Sequence, residues 1–212
     1  MSLKKTPVWL LDVKRQEAVP AELWDAITEQ QLADWEALWK PALAEAIQRL
    51  HRARVPYTQW PQSSHWDWRD KIAGIQGLLA NPSFSVMCEG ATQGMMILET
   101  LRHRCRIEAQ KGKNLAYVKY VENAPWNRKE LLVDPPTYRG VGSILVRAAI
   151  EKSMAEGFKG RIGLHALPQA NSFYANTCGM TDLGPDSNDL NMHYFEMTTE
   201  QSEEFIAKGA KP

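Results

Sequence analysis

At Thr137-Tyr138-Arg139-Gly140-Val141-Gly142-Ser143-Ile144-Leu145 a glycine-bearing loop runs straight into a helix-forming stretch. Two glycines let successive backbone N–H groups turn outward, and a helix start adds about half a positive charge, so this segment is a cradle for phosphate. The dinucleotide fingerprint wants Gly or Ala where Leu145 stands and an acidic residue about 20 positions on, and no Asp or Glu occurs between Gly157 and Met180. A nucleoside-triphosphate loop closes on Gly-Lys-Ser/Thr, and Gly142-Ser143-Ile144 has no lysine. Neither loop type fits.

Composition leaves room for an enzyme and narrows its partners. With 212 residues, 25 Lys+Arg against 25 Asp+Glu and 44% apolar residues, the chain reads as a water-soluble globule able to bury a full core. Zero formal charge supplies no field to gather polyanions, so nucleic acid and anionic membranes are not expected partners. No apolar run approaches the roughly 18 residues that cross a bilayer, and the segment from Met1 to Glu17 reads as neither signal peptide nor span. Cys88, Cys105 and Cys178 are widely spaced and lack any CxxC pair, which argues against a disulfide framework or thiolate zinc site and for a cytoplasmic setting. His51, His65, His103, His165 and His193 form no HExxH or helical i, i+4 pair, and Gly-x-Ser-x-Gly is absent. No metal is expected, and covalent nucleophilic catalysis has no support.

Tryptophans crowd the first third, at Trp9, Trp24, Trp35, Trp39, Trp60, Trp66 and Trp68. From Pro20 onward the pattern turns helical, and Leu32, Trp35, Trp39, Leu43, Ala46 and Leu50 recur at spacings of three and four. This predicts a long amphipathic helix ending near His51, its Trp stripe packed on the rest of the chain. A helix around Asp67 to Leu79 precedes strands at Ser83 to Cys88, Met95 to Arg102 and Leu115 to Val121, with a turn over Glu89 to Gly94. Next come a helix from about Ser143 to Glu156 stopped by Gly157, a buried strand at Arg161 to Leu167, a short helix after Pro168 and a final hairpin ending in Asn191 to Met197. The expected organisation is a Trp-rich, mainly helical region over 1–80, a core over 81–200 and a tail over 201–212. Arg102-His103-Arg104-Cys105-Arg106, with Lys111 and Lys113, reads as a solvated basic face.

The glycine loop resembles the acyl-CoA loop of the Gcn5-related N-acetyltransferase (GNAT) family, Gln/Arg-x-x-Gly-x-Gly/Ala. Downstream, Ala170-Asn171-Ser172-Phe173-Tyr174 followed by Cys178-Gly179-Met180 is similar to that family's Ala-x-x-Phe-Tyr-x-x-x-Gly-Phe signature. The resemblance covers roughly Ser83 to Met197. Thr137 departs from it, standing where Gln or Arg is usual, and Arg139 is the side chain placed to substitute. The connection from Asn123 to Tyr138 is also longer than usual. The central strand then either ends near Ala124 or resumes at Leu131 to Val133, and Pro125-Trp126-Asn127 and Pro135-Pro136 line the active-site mouth.

The resemblance implies an acyl-CoA N-acyltransferase fold, α/β of the α+β type, with a mixed, mostly antiparallel sheet opened by a V-shaped splay and an N-terminal helical extension. It implies transfer of an acetyl group from acetyl-CoA to a primary amine by direct attack in a ternary complex. Arg139, Gly140, Val141, Gly142 and Ser143 would cradle the diphosphate, and Asn171 and Tyr174 would complete the CoA site. Tyr174 would protonate the departing thiolate, Glu122 would act as base with His165 as the alternative, and a backbone N–H near Asn123 or Ala124 would polarise the thioester. The acceptor would be a small amine or a peptide, a protein N-terminus or charged tRNA being its macromolecular version, and a homodimer stays open. The alternative from another class is a CoA-binding interaction module whose Trp-rich helices dock a partner.

Overall fold

The computed structural model describes residues 3–131 and 135–209. Nine strands, β1 (Lys5–Asp12), β2 (Glu17–Trp24), β3 (Ser83–Cys88), β4 (Ala91–Glu99), β5 (Ala116–Asn123), β6 (Tyr138–Arg139), β7 (Ile162–Ala166), β8 (Thr181–Asp186) and β9 (Met192–Met197), hydrogen-bond in the order β6-β1-β2-β3-β4-β5-β7-β9-β8. The pairs β1-β2, β1-β6, β2-β3, β7-β9 and β8-β9 are antiparallel, and β5-β7 is parallel. This is the mixed, mostly antiparallel sheet that the sequence leads one to expect. Two compact units divide the chain, Met1–Leu78, Ser83–Met95 and Val121–Ile144 forming one, and Leu79–Pro82, Met96–Tyr120 and Leu145–Pro212 the other.

The first unit opens on a hairpin where the helical pattern was expected to start. Pro20 lies in β2, opposite Trp9 of β1, and the helix begins only at Glu29. The strand alternation is hard to see because outward positions carry Trp9, Leu11 and Pro20 rather than polar residues. The Asp12 carboxylate accepts the Lys14 and Arg15 amides at 2.9 and 2.8 Å, closing the turn. The predicted amphipathic helix is real: α1 (Glu29–Asp34) passes through a π-helical turn at Trp35–Trp39 into α2 (Lys40–Arg52). Pro41 supplies the reason, since it has no N–H for the carbonyl one turn back, and the wider turn relieves its clash. Trp35 and Trp39 are buried as expected, and Trp39 Nε1 donates to the Thr92 carbonyl at 3.0 Å. A short helix α3 (Trp68–Ala73) starts on Asp67, whose side chain accepts the Asp70 amide. Residues Glu89 and Gly90, both at positive φ (48° and 79°), turn β3 into β4, so β4 begins four residues earlier than Met95.

In the second unit, β7 meets β5 through Ala116↔Ile162 and Tyr117↔Gly163 only. Beyond those pairs the strands part, which is the expected splay. Helix α4 (Val141–Ala155), shared between the units, stops before Gly157 at φ +76°. Strand β9 lies antiparallel to β7 from Ile162↔Met197 to Ala166↔His193. The segment expected as a tail folds instead into α5 (Thr199–Gly209). Its start is a capping box: the Gln201 amide donates to Thr198 Oγ1 at 3.2 Å and the Thr198 amide to Gln201 Oε1 at 2.9 Å. Among the described residues no helix is long and apolar enough to cross a membrane.

Gly163 is the tightest point of this unit, because a Cβ there would lie 2.5 Å from the Tyr194 hydroxyl oxygen and 3.3 Å from Leu115 Cδ2. Gly163→Ala is expected to lose about 1–3 kcal/mol in urea denaturation. Gly90→Ala, with nothing within 4 Å but a φ of +79°, is expected to lose only about 1 kcal/mol.

Candidate active site

The glycine loop is held firmly up to its turn. Thr137 N donates to the Trp126 carbonyl at 2.9 Å, Tyr138 N to Asn127 Oδ1 at 2.9 Å, and Val13 N to the Thr137 carbonyl at 3.0 Å. The Tyr138 hydroxyl donates to Glu89 Oε2 at 2.8 Å, and Arg15 pairs with the other oxygen at 2.7 Å, which holds the Glu89 carboxyl below its ordinary range. Gly140 then takes φ +103°, a backbone shape that side chains disfavour, and its carbonyl accepts the Ile144 amide at 2.9 Å. It is thus the N-cap of α4. The amides of Val141, Gly142 and Ser143 fall in the helical turn that has no partner within the helix, at the positive end of its dipole. Arg139 and Thr137 are both exposed.

Strand β5 ends at Asn123, in keeping with a central strand ending near Ala124. Of the alternative at Leu131 to Val133, Leu131 lies in a 3₁₀ turn and the other positions lie outside the described residues. The following loop is pinned by Gln93, whose Oε1 accepts both Trp126 Nε1 and Asn127 Nδ2 at 2.9 Å. Glu122 is buried and fully engaged: Trp68 Nε1 donates to Oε2 at 2.7 Å and Arg128 Nη1 to Oε1 at 3.0 Å. Arg128, itself buried, also reaches Ser63 and Glu130. The carboxylate expected as a base therefore sits inside an ion pair.

In the second unit, Tyr174 lies in a π-helical turn (Phe173–Thr177), with its ring 5.8 Å from that of Phe195, and burial pushes its phenol above the ordinary range. Asn171, just upstream, keeps a buried Oδ1 that has no hydrogen-bond partner among the described residues. A buried acceptor without a donor is costly and invites a ligand N–H.

His165 sits in a cluster that local sequence gave no sign of. Its side chain is 3% exposed; Nε2 lies 3.1 Å from Asp186 Oδ2 and Nδ1 2.7 Å from the Tyr117 hydroxyl. Arg106 Nη1 donates to the same Asp186 oxygen at 2.5 Å and the Asn188 amide to Oδ1 at 2.9 Å. Arg106 first, then the Asn188 amide and His165, hold the Asp186 carboxyl well below the usual carboxylate range. His103 stacks on Tyr117 with ring centroids 3.8 Å apart. His103, half-buried, thus leaves the solvated face expected of the basic run, while Arg102, Arg104 and Arg106 stay exposed, the last with its guanidinium on Asp186. Among the described residues no group of three or more His, Cys, Asp or Glu could hold a metal ion. Burial raises the thiols of Cys88, Cys105 (to about 11) and Cys178 (to about 12).

No family model and no curated protein matches the sequence. Solved structures match in shape. An uncharacterised protein from Bacillus halodurans is 9% identical over 96% of this chain and 96% of that one, with a TM-score of 0.54. RimJ of Mycobacterium smegmatis, in complex with CoA-disulfide, is 13% identical over 98% of this chain and 95% of that one, at 0.51. The GNAT domain of PAT from S. lividans is 14% identical over 91% of this chain and 96% of that one, at 0.50. At such identities the likeness is one of fold, and this chain has the acyl-CoA N-acyltransferase fold of GNAT domains.

Removing one partner of the Glu122–Arg128 pair leaves a buried charge uncompensated. Arg128→Met is expected to lose about 3–5 kcal/mol in chemical denaturation, and adding Glu122→Gln to recover most of it.

Proposed function

We propose that the protein is an N-acetyltransferase that carries an acetyl group from acetyl-CoA to a primary amine, a small molecule or a peptide. The observation that carries this reading is the Gly140 turn capping α4, which aims first-turn amides outward beside Arg139. Arg139, Gly140, Val141, Gly142 and Ser143 are assigned to the diphosphate, and the orphan Asn171 Oδ1 to an amide N–H of the pantetheine arm. Acetyl-CoA supplies the thioester carbonyl that the amine attacks. The loop at Pro125-Trp126-Asn127, fixed by Gln93, is assigned to the mouth of the site.

Direct transfer suits this chain because all three thiols are buried and protonated at neutral pH, so none is a ready acyl carrier. Tyr174, protonated through the neutral range, is assigned to give its proton to the thiolate as the C–S bond breaks. Glu122, with both oxygens taken up by Trp68 and Arg128, is assigned to hold the end of β5. The base role falls to His165. Burial of Trp24, Trp35, Trp39 and Trp68 within the chain supports the enzyme reading over the interaction-module alternative, Trp9 on β1 being the exposed exception.

Acetyl-CoA at 100 times its Kd is expected to stabilise the fold by about 2.7 kcal/mol, read as a rise in Tm, and Gly142→Glu to abolish the rise. An acceptor screen of polyamines, amino acids, aminoglycosides and peptides, read by thiol release, identifies the amine. CoA binding weaker than about 1 mM in calorimetry overturns the proposal. Tyr174→Phe is expected to lower kcat by about 10²-fold or more at unchanged KM for acetyl-CoA.

A further inference from the structure

We propose that Tyr117, His165 and Asp186 form a proton relay that takes the proton of the attacking amine, with Tyr117 as the group that meets it; this rests on the acetyl-transfer reading above. The direction of the relay follows from its hydrogen bonds. Asp186, ionised and acceptor-only, requires the hydrogen on His165 Nε2 at 3.1 Å. Nδ1 of the neutral ring is then a lone-pair acceptor, and the Tyr117 hydroxyl donates to it at 2.7 Å. The phenol oxygen keeps its own lone pairs for a ligand N–H.

The cluster is also built to hold a proton that arrives on Nδ1. Asp189 Oδ2 lies 3.3 Å from that nitrogen, so an imidazolium would stand between two carboxylates. A merely structural histidine satisfied by Tyr117 and Asp186 has no use for the second one. Asp189 is 45% exposed, which gives the proton a way out to water. Glu196 shows the contrast: it is fully buried and saturated by the Arg106 and Ile107 amides and Gln110 Nε2, a carboxylate that only holds a segment in place.

Position and rigidity agree with the role. Tyr117 is the last residue of β5 that pairs with β7, so its side chain stands where the sheet begins to open. Every member is locked by a neighbour. His103 stacks on Tyr117, its outer nitrogen facing Glu99 at 3.7 Å, Tyr194 packs on His165 at 4.9 Å, and Arg106 lies 4.0 Å over Tyr194 while gripping Asp186. With the buried Cys105 thiol, which packs in one cluster with Tyr117 and Tyr194, these are the charged and titratable groups among the described residues that face the relay from β4, β5, β8, β9 and the 103–106 segment.

The step balances. The amine nitrogen bonds to the carbonyl carbon and becomes cationic; its proton passes to the Tyr117 oxygen as the phenol's own proton passes to His165 Nδ1. The C–S bond breaks and the thiolate takes its proton from Tyr174. His165 returns to neutrality by releasing its proton to water past Asp189, and Tyr174 regains one from water, so no net proton is gained or lost.

The test compares Tyr117→Phe, His165→Gln and Asp186→Asn with the parent protein, using acetyl-CoA and the primary amine chosen by the acceptor screen. Tyr117→Phe removes one atom and keeps the ring stacked on His103, and thermal melts verify the fold of each variant. Each is expected to lower kcat by about 10²-fold or more at unchanged KM for acetyl-CoA. The deficit should narrow as pH rises, because hydroxide takes the proton of the attacked, cationic nitrogen when the relay cannot. A packing role would leave it constant. Nitrogen NMR of the parent should show His165 as the Nε2–H tautomer, a readout that needs no turnover. Full kcat in Tyr117→Phe, a pH-independent deficit or the Nδ1–H tautomer overturns the relay. A parent protein that shows the Nε2–H tautomer and binds CoA, yet releases no thiol with any amine, overturns the acetyl-transfer reading and the relay's catalytic role with it.

Discussion

The close approach of the Tyr194 phenol to Gly163 governs how the side chains around His165 are arranged in the second unit. Because residue 163 has no Cβ, the Tyr194 phenol comes up against β7, where its ring packs on His165 and carries Arg106 over it. Arg106 in turn reaches Asp186, and Asp186 orients the imidazole. Any larger residue at 163 displaces the ring and, through it, each member of this series. The same glycine is the partner of Tyr117 in the last rung of the parallel ladder, so the packing that orients His165 also marks where β5 and β7 separate.

In the first unit the comparable constraint is the buried Glu122. A carboxylate at the end of a central strand reads from sequence as either a base or a surface charge, and here it is buried in an ion pair. Trp68 and Arg128, 54 and 6 positions away in the chain, take both of its oxygens. That pairing fixes the strand end from which the pinned loop departs, while the loop's far side is held by Asn127 on Tyr138 and by β1 on β6. The glycine turn thus emerges from a rigid frame.

Much of the fold was legible because its signals are local. The Leu32-to-Leu50 stripe, the Gly157 stop and the strand Ser83–Cys88 each depend on residues within a few positions of one another. The opening hairpin was not legible, because Trp9, Leu11 and Pro20 occupy outward positions and blur the two-residue period. Helix α5 did carry a signal, the Thr198-to-Gln201 capping box, which is short and easily passed over in a segment read as a tail. The π-helical turn at Trp35–Trp39 follows from Pro41, whose presence inside a helical period marks an irregularity in sequence.

The sequence by itself determined the glycine turn that caps α4. A positive φ at Gly140 and the free amides of a helix start are properties of contiguous residues, and no distant contact is needed to create them. Only the tertiary structure decided which side chains share a site with His165. Tyr117 lies 48 positions before it and Asp186 21 after it, and they meet through the pairing of β5 with β7, of β7 with β9 and of β9 with β8. A shift of one residue in any of these ladders would turn a side chain to the opposite face, and register is set by packing across the whole sheet rather than by the three residues that meet there.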